Sequence, residues 1–301
     1  MPDGVVIEVD GPEAQVSGPD GVVRCTLPGK WRVGGGATSH PVAVGDEVRY
    51  RTLQVGVGVL EKVSPRRTKL SRPVAGGRAV EQVVVANVDQ VLIVVAAARP
   101  RPKQGLVDRI LVAALRGEIR PVVCVNKVDL VPQEKILEKF GHYRDIGLTL
   151  LLTSVPTREG LDDLREILHD RKTVFAGPSG AGKSSLLNLV LPGAKLRTGE
   201  VSDKTSKGKH VTSRVTLIPL EGGGYVVDTP GVRMFGLWGT EPTEVQGAFP
   251  DILEASEGCR FGDCLHRIEP HCAVRKAVEE GGILKSRHDS YLRILASMKE
   301  V

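Results

Sequence analysis

Residues 177–185, Gly177-Pro178-Ser179-Gly180-Ala181-Gly182-Lys183-Ser184-Ser185, fit the pattern G-x-x-x-x-G-K-[ST] and directly follow the apolar segment KTVFAG. Glycines at a strand-to-helix junction let successive backbone N–H groups turn inward on a phosphate, and the helix that follows adds its positive end. Lys183 is placed to reach the β- and γ-phosphates, and the Ser184 hydroxyl to ligate Mg2+. The chemistry suits a nucleoside triphosphate. A phosphate loop alone does not choose the base.

That choice rests on Asn126-Lys127-Val128-Asp129, at the end of the apolar run RPVVCV. A carboxylate at Asp129 accepts from both the ring N–H and the exocyclic amine of guanine. Adenine offers no such pair, so it would leave a polar group unmatched at a cost of several kcal/mol. Asn126 would support the loop, the Lys127 stem would cover the ring face, and Thr153-Ser154, closing the apolar segment LTLLLTS, would donate backbone hydrogen bonds to the base. Asp228-Thr229-Pro230-Gly231 follows the apolar run GGYVV. There Asp228 is suited to the Mg2+ shell and the Gly231 N–H to the γ-phosphate. In residues 208–213 (GKHVTS) a hydroxyl would complete the metal's coordination, with Thr212 preferred over Ser213.

The order of these motifs is unusual: base-reading residues first, then the phosphate loop, then Thr212, then Asp228 to Gly231. An ordinary chain of this class leads with the phosphate loop and reads the base last. A sheet closes the same core wherever its loops are cut, provided the original ends lie close together, so the order describes a circular permutation.

A separate constellation lies in residues 259–272, CRFGDCLHRIEPHC. Cys259, Cys264, His266 and Cys272 make a three-thiolate, one-imidazole set suited to a single Zn2+, with His271 as the alternative nitrogen. Cys25 and Cys124 sit in apolar contexts that read as core.

The elements that must position these groups follow from the texture of the chain. From Val88 onward, apolar runs such as VDQVLIVVAAA, RPVVCVNK, LTLLLTS, KTVFAG, RVTLIPL and GGYVVDTP alternate with helical stretches LVDRILVAALRG, LDDLREILHD and KSSLLNLVL. Such alternation predicts a mostly parallel sheet covered on both faces. Residues 1–60 carry short Val-rich segments (VVIEVDG, GVVRCTLPG, VAVGDEVRY, LQVGVGVL) with tight turns between them, which predicts a small antiparallel barrel or sandwich. Residues 61–81 read as a connector. Beyond about residue 239 the pattern becomes polar and helical.

At 301 residues the chain has room for two or three domains. No apolar stretch approaches the ~20 residues that span a bilayer, and the N-terminus lacks a basic start followed by an apolar run. No membrane association and a cytoplasmic location are therefore expected. The formal charge of +5 is mild, but its distribution is not. Residues 61–72 hold 5 basic and 1 acidic side chain, and residues 195–214 hold 6 and 2. Two basic runs flanking a nucleotide site make a polyanion a candidate partner.

Taken together, VANVDQVLIV, NKVD, GPSGAGKSS, GKHVTS, DTPG and the cysteine–histidine cluster, in this order, make the chain similar to the ribosome small-subunit-dependent GTPase A family over nearly its whole length. The resemblance implies three parts: an N-terminal OB-fold β-barrel with its basic connector (1–72), a central α/β P-loop GTPase domain, circularly permuted (73–240), and a C-terminal α-helical zinc-binding domain (241–301). It further implies hydrolysis of GTP with Mg2+, one Zn2+ per chain, and a late role in maturing the small ribosomal subunit through contact with 16S-type rRNA. The protein is expected to act as a monomer. Where many GTPases carry Gln after the DTPG-type glycine to orient the attacking water, this chain has Val232, which cannot hydrogen-bond. The counterpart of His210 has that role in the family, so the catalytic set is expected to be His210, Lys183 and Thr212. Two rivals remain at this point: a P-loop ATPase or small-molecule kinase, which Asn126 and Asp129 oppose, and an RNA-binding scaffold that holds GTP without turnover.

Overall fold

A computed structural model describes residues 3–19, 21–31, 40–74, 80–191, 215–228, 237 and 239–298. Its first five strands are β1 (Asp3–Asp10), β2 (Glu13–Gly18), β3 (Gly21–Thr26), β4 (Glu47–Gln54) and β5 (Val57–Val63). Side chains alternate along them. In β4, Val48 and Tyr50 are buried while Arg49 and Arg51 are exposed, as a sheet with one wet face requires. The strand order β1-β2-β3-β5-β4 closes with β4 back on β1, antiparallel everywhere except between β3 and β5. This closed five-stranded barrel matches the OB-type expectation, and Val6, Val16, Cys25, Tyr50 and Leu60 fill it.

Two details differ from the sequence reading. β2 was not anticipated, because EAQVSG has only two buried side chains, Ala14 and Val16. The run LQVGVGVL, read as one strand, is split by a turn at Val55-Gly56 that leaves Val55 fully exposed. The expected connector also contains structure, since β6 (Lys69–Pro73) pairs antiparallel with β7 (Glu81–Ala86).

Next come β8 (Gln90–Ala96), α1 (Gln104–Arg116), β9 (Arg120–Asn126), α2 (Gln133–Asp145), β10 (Thr149–Thr153), α3 (Leu161–Leu168), β11 (Lys172–Ala176), α4 (Lys183–Val190), β12 (Thr216–Pro219) and β13 (Tyr225–Asp228). The strands lie in the order β10-β9-β8-β11-β13-β12, and only β12 runs against its neighbour. Burial on both faces explains the unbroken apolar runs. Val91, Ile93 and Val95 of β8 pack with Ile110, Leu111 and Phe140 on one side, while Leu92 and Val94 pack with Leu164, Leu168 and Leu187 on the other. Helix α2 escaped the sequence reading because only Ile136, Phe140 and Tyr143 of its thirteen residues are buried.

Four helices complete the described chain: α5 (Pro242–Gly247), α6 (Pro250–Ser256), α7 (Ala273–Glu279) and α8 (Lys285–Ser297). Their core of Val245, Phe249, Ile252, Val274, Tyr291 and Leu295 also includes Val112 of α1, so this unit rests on the central one. The barrel meets the central unit where Glu8 of β1 pairs with Thr216 of β12 and where Val5, Ile7, Val9 and Val44 pack into the core beneath the sheet. No helix among the described residues is long and apolar enough to cross a membrane.

Candidate functional site

Parallel strands place their carboxyl ends along one edge, and here that edge collects the motifs. β9 ends at Asn126, β10 at Thr153, β11 at Ala176 immediately before the glycine-rich loop, and β13 at Asp228. Register brings Thr153 opposite Asn126, and Ala176 opposite Ile93 in β8. Open α/β sheets bind ligands in the crevice beyond this edge.

The loop that follows β9 and the glycine-rich loop that follows β11 are joined by side chains. Asn126, almost fully buried, donates from Nδ2 to the Ala181 carbonyl at 2.9 Å and accepts from the Thr153 hydroxyl at 3.2 Å. Lys127 adopts a left-handed backbone (φ 63°, ψ 39°). Its ammonium donates to the carbonyls of Gly180 at 2.7 Å and Arg99 at 2.6 Å. A short helical turn, Val128–Leu130, then presents Asp129 at the surface. The buried Ser154 hydroxyl donates to Asp129 Oδ1 at 2.7 Å and so orients the carboxylate. The Lys183 ammonium lies inside the phosphate loop, donating to the carbonyls of Gly177 at 2.8 Å and Pro178 at 2.9 Å.

Two glycines make this approach possible. Gly177 (φ 137°) and Gly182 (φ 97°) hold conformations that side chains disfavour, and a Cβ there would run into the Val94 carbonyl oxygen and Asn126 Nδ2, respectively. Gly182→Ala should therefore displace Asn126 from Ala181 and lower GTP affinity by about tenfold, the worth of roughly one such hydrogen bond. Titration with a fluorescent GTP analogue measures it; wild-type affinity would show that the two loops act independently.

Sequence reasoning assigned Thr153 and Ser154 backbone donation to a base and did not include their hydroxyl bonds to Asn126 and Asp129. It also missed the Arg99 and Ala181 carbonyls, which no side-chain pattern marks. Beneath the site, Cys124 Sγ lies 3.4 Å from Thr153 Oγ1, and burial pushes its thiol up to about 12. Cys25 is likewise pushed up to about 11 by burial. Both are unreactive core, as expected. Ser179, Ser184 and Ser185 lie along the loop and the first turn of α4. Thr212, His210, Gly231 and Val232 fall outside the described residues, and only the backbone of Asp228 is within them.

The second cluster is compact. The donor atoms of Cys259, Cys264, His266 and Cys272 lie within 4.8 Å of one another. His266 Nδ1 is 3.4 Å from Cys272 Sγ and 3.7 Å from Cys259 Sγ, and those two sulfurs are 3.9 Å apart. A tetrahedral zinc ion with its usual bond lengths spaces its ligands by about 3.5 to 3.8 Å, so the set fits that ion. His271 is exposed and outside the cluster. The Glu269 carboxylate accepts from the backbone N–H groups of Leu265, Arg267 and Ile268 at 2.6–3.0 Å, and His288 contacts the His266 carbonyl oxygen at 2.9 Å. These bonds fix the loop independently of its four donors.

Comparison with known proteins places this arrangement. A family model described as RsgA GTPase matches residues 63–238. A protein of Gemmatimonas aurantiaca named small ribosomal subunit biogenesis GTPase RsgA is 44% identical over 84% of this chain and 83% of its own length. A protein of the same name from Chlorobaculum tepidum is 40% identical over 99% and 98%. Among solved structures, YjeQ from Thermotoga maritima superposes with a TM-score of 0.74 at 32% identity, covering 98% of each chain. YloQ, described as a circularly permuted GTPase, gives 0.73 at 32% identity, covering 100% and 96%.

Proposed function

We propose, because this chain belongs to the RsgA GTPase family and is a GTP-hydrolysing enzyme, that its turnover serves a late step in maturation of the small ribosomal subunit, stimulated by that subunit and by contact with its rRNA. The relatives' printed name supports the subunit. The observation that carries the nucleotide chemistry is the Asn126–Ala181 bond, which locks a guanine-reading loop to a phosphate loop at one sheet edge.

In this reading Asn126, Lys127, Asp129, Thr153 and Ser154 hold the guanine end, and residues 177–185 hold the phosphates. Lys183 would give up its loop carbonyls for the β- and γ-phosphates, where its charge offsets what accumulates as the bond breaks. Mg2+ bound by Ser184, Thr212 and Asp228 would supply further charge neutralisation at the same oxygens. Gly231 would present its N–H to the γ-phosphate, and His210 would orient the attacking water. The working units are residues 1–72, 73–240 and 241–301, with the barrel, the basic connector and the C-terminal unit facing rRNA. The protein acts as a cytoplasmic monomer. GTP turnover measured alone, with purified small subunits and with large subunits tests the proposal. Acceleration by small subunits only is expected, and equal rates in all three would overturn it.

The cysteine–histidine set is proposed to hold one Zn2+ per chain, which would crosslink residues 259–272 and the start of α7. Metal analysis of purified protein should give one equivalent. Cys264→Ser should release it and lower the stability of residues 241–301 by several kcal/mol, because binding and folding are coupled. Native protein that contains no zinc yet melts normally would refute the site.

A further inference from the structure

Arg287 of α8 is 2% exposed, although it is a charged side chain. Its guanidinium grips Asp251 of α6 with two bonds, Nε to Oδ2 at 2.7 Å and Nη2 to Oδ1 at 2.9 Å. A third bond, from Nη1, reaches Asp108 Oδ1 of α1 at 3.3 Å. The Tyr143 hydroxyl of α2 donates to that same oxygen at 2.9 Å. The cation also lies 4.6 Å from the centre of the Phe249 ring and 5.9 Å from that of Tyr143. Burial works against the charge, but hydrogen bonding and attraction from Asp251, then Asp108, hold the guanidinium above its ordinary value.

Stability alone does not explain this. Hydrocarbon of similar volume commonly replaces a buried ion cluster at no loss, whereas directional bonds fix orientation. Arg287 joins the C-terminal unit to both α1 and α2, and those helices grow out of the nucleotide loops. α1 starts at Gln104, five residues after Arg99, whose carbonyl holds Lys127. α2 starts at Gln133, just after the turn that carries Asp129. Gln104 Nε2 donates to the Lys139 carbonyl at 2.6 Å and ties the two helices together.

We propose that Arg287 is a positioning residue for stimulated turnover, transmitting the orientation of the docked cysteine–histidine unit through α1 and α2 to the loops that hold the nucleotide. The inference rests on the reading that small subunits stimulate this enzyme.

The test uses the full chain carrying Arg287→Met, with turnover measured alone and across a small-subunit titration, alongside melting temperature. Basal kcat and the KM for GTP should stay within about twofold of wild type, while the stimulated kcat falls about tenfold, in the usual range for coupling between sites. Undiminished stimulation would overturn the proposal. So would basal and stimulated rates falling by one common factor together with the melting temperature, which is the mark of a structural role. Should Arg287→Met not fold, Asp251→Asn keeps Arg287 and its bond to Asp108 and is read by the same criteria. Absence of stimulation in wild type would instead overturn the subunit reading itself, and is seen before any variant is compared.

Discussion

Asp129→Asn should lose GTP and gain xanthosine triphosphate. In the proposed base site the carboxylate would accept from the guanine ring N–H and the 2-amino group, and bonds to a charged group are worth about 1.5 to 3 kcal/mol each, so losing both should lower GTP affinity by about 10² to 10⁴-fold. An amide at the same place donates to the oxygen at position 2 of xanthine, which restores a matched edge. The structure adds a graded control. Because Ser154 Oγ holds Asp129 Oδ1 at 2.7 Å, Ser154→Ala should weaken GTP without changing base preference. Competition of unlabelled GTP, XTP and ATP against a fluorescent analogue reads all three properties. Unchanged GTP affinity in Asp129→Asn would remove this residue from the base site.

His210→Ala should abolish most stimulated hydrolysis and leave GTP binding intact. Val232 stands where a water-orienting Gln is common, so free protein should bind GTP through Lys183 and Ser184 while turning it over slowly. His210 lies in the basic stretch with Lys204, Lys207 and Lys209, and rRNA contact there would bring the imidazole to the water. A positioned group of this kind contributes about 10² to 10⁴-fold. The stimulated kcat should fall by at least the lower figure, with GTP Kd unchanged, as expected for an interaction made only in the transition state. Wild-type turnover of His210→Ala on small subunits would assign the water to backbone or to rRNA.

The nucleotide edge was legible because its chemistry depends on residue types at fixed spacing. Glycine at 177 and 182 answers a backbone need that other residues meet only under strain, and Asn126 and Asp129 are of the types that the hydrogen-bonding edge of guanine would need. The cysteine–histidine set was legible for the same reason, although only the fold separates His266, buried against two sulfurs, from the exposed His271. Helix α2 and strand β2 were not, since each buries few side chains and an apolar period barely registers. The Arg287 cluster was invisible for a different reason: Asp108, Tyr143, Asp251 and Arg287 are separated by up to 179 residues, and nothing local marks them as partners.

The strand order β10-β9-β8-β11-β13-β12 bears on how the chain is made as well as on what it binds. As residues emerge from their own synthesis, β9 and β10 add in turn to one side of β8, and β11 then adds to the other. β12 and β13 follow as a hairpin laid against β11. No strand has to be threaded between two already paired. Every addition meets a free edge, and the half-sheet that ends in Asn126 and Thr153 can assemble before the phosphate loop has been translated. The pairing is sequential without being local: Gln90 of β8 and Thr173 of β11 stand 83 residues apart, so one edge of β8 stays open to aggregation until β11 has been made.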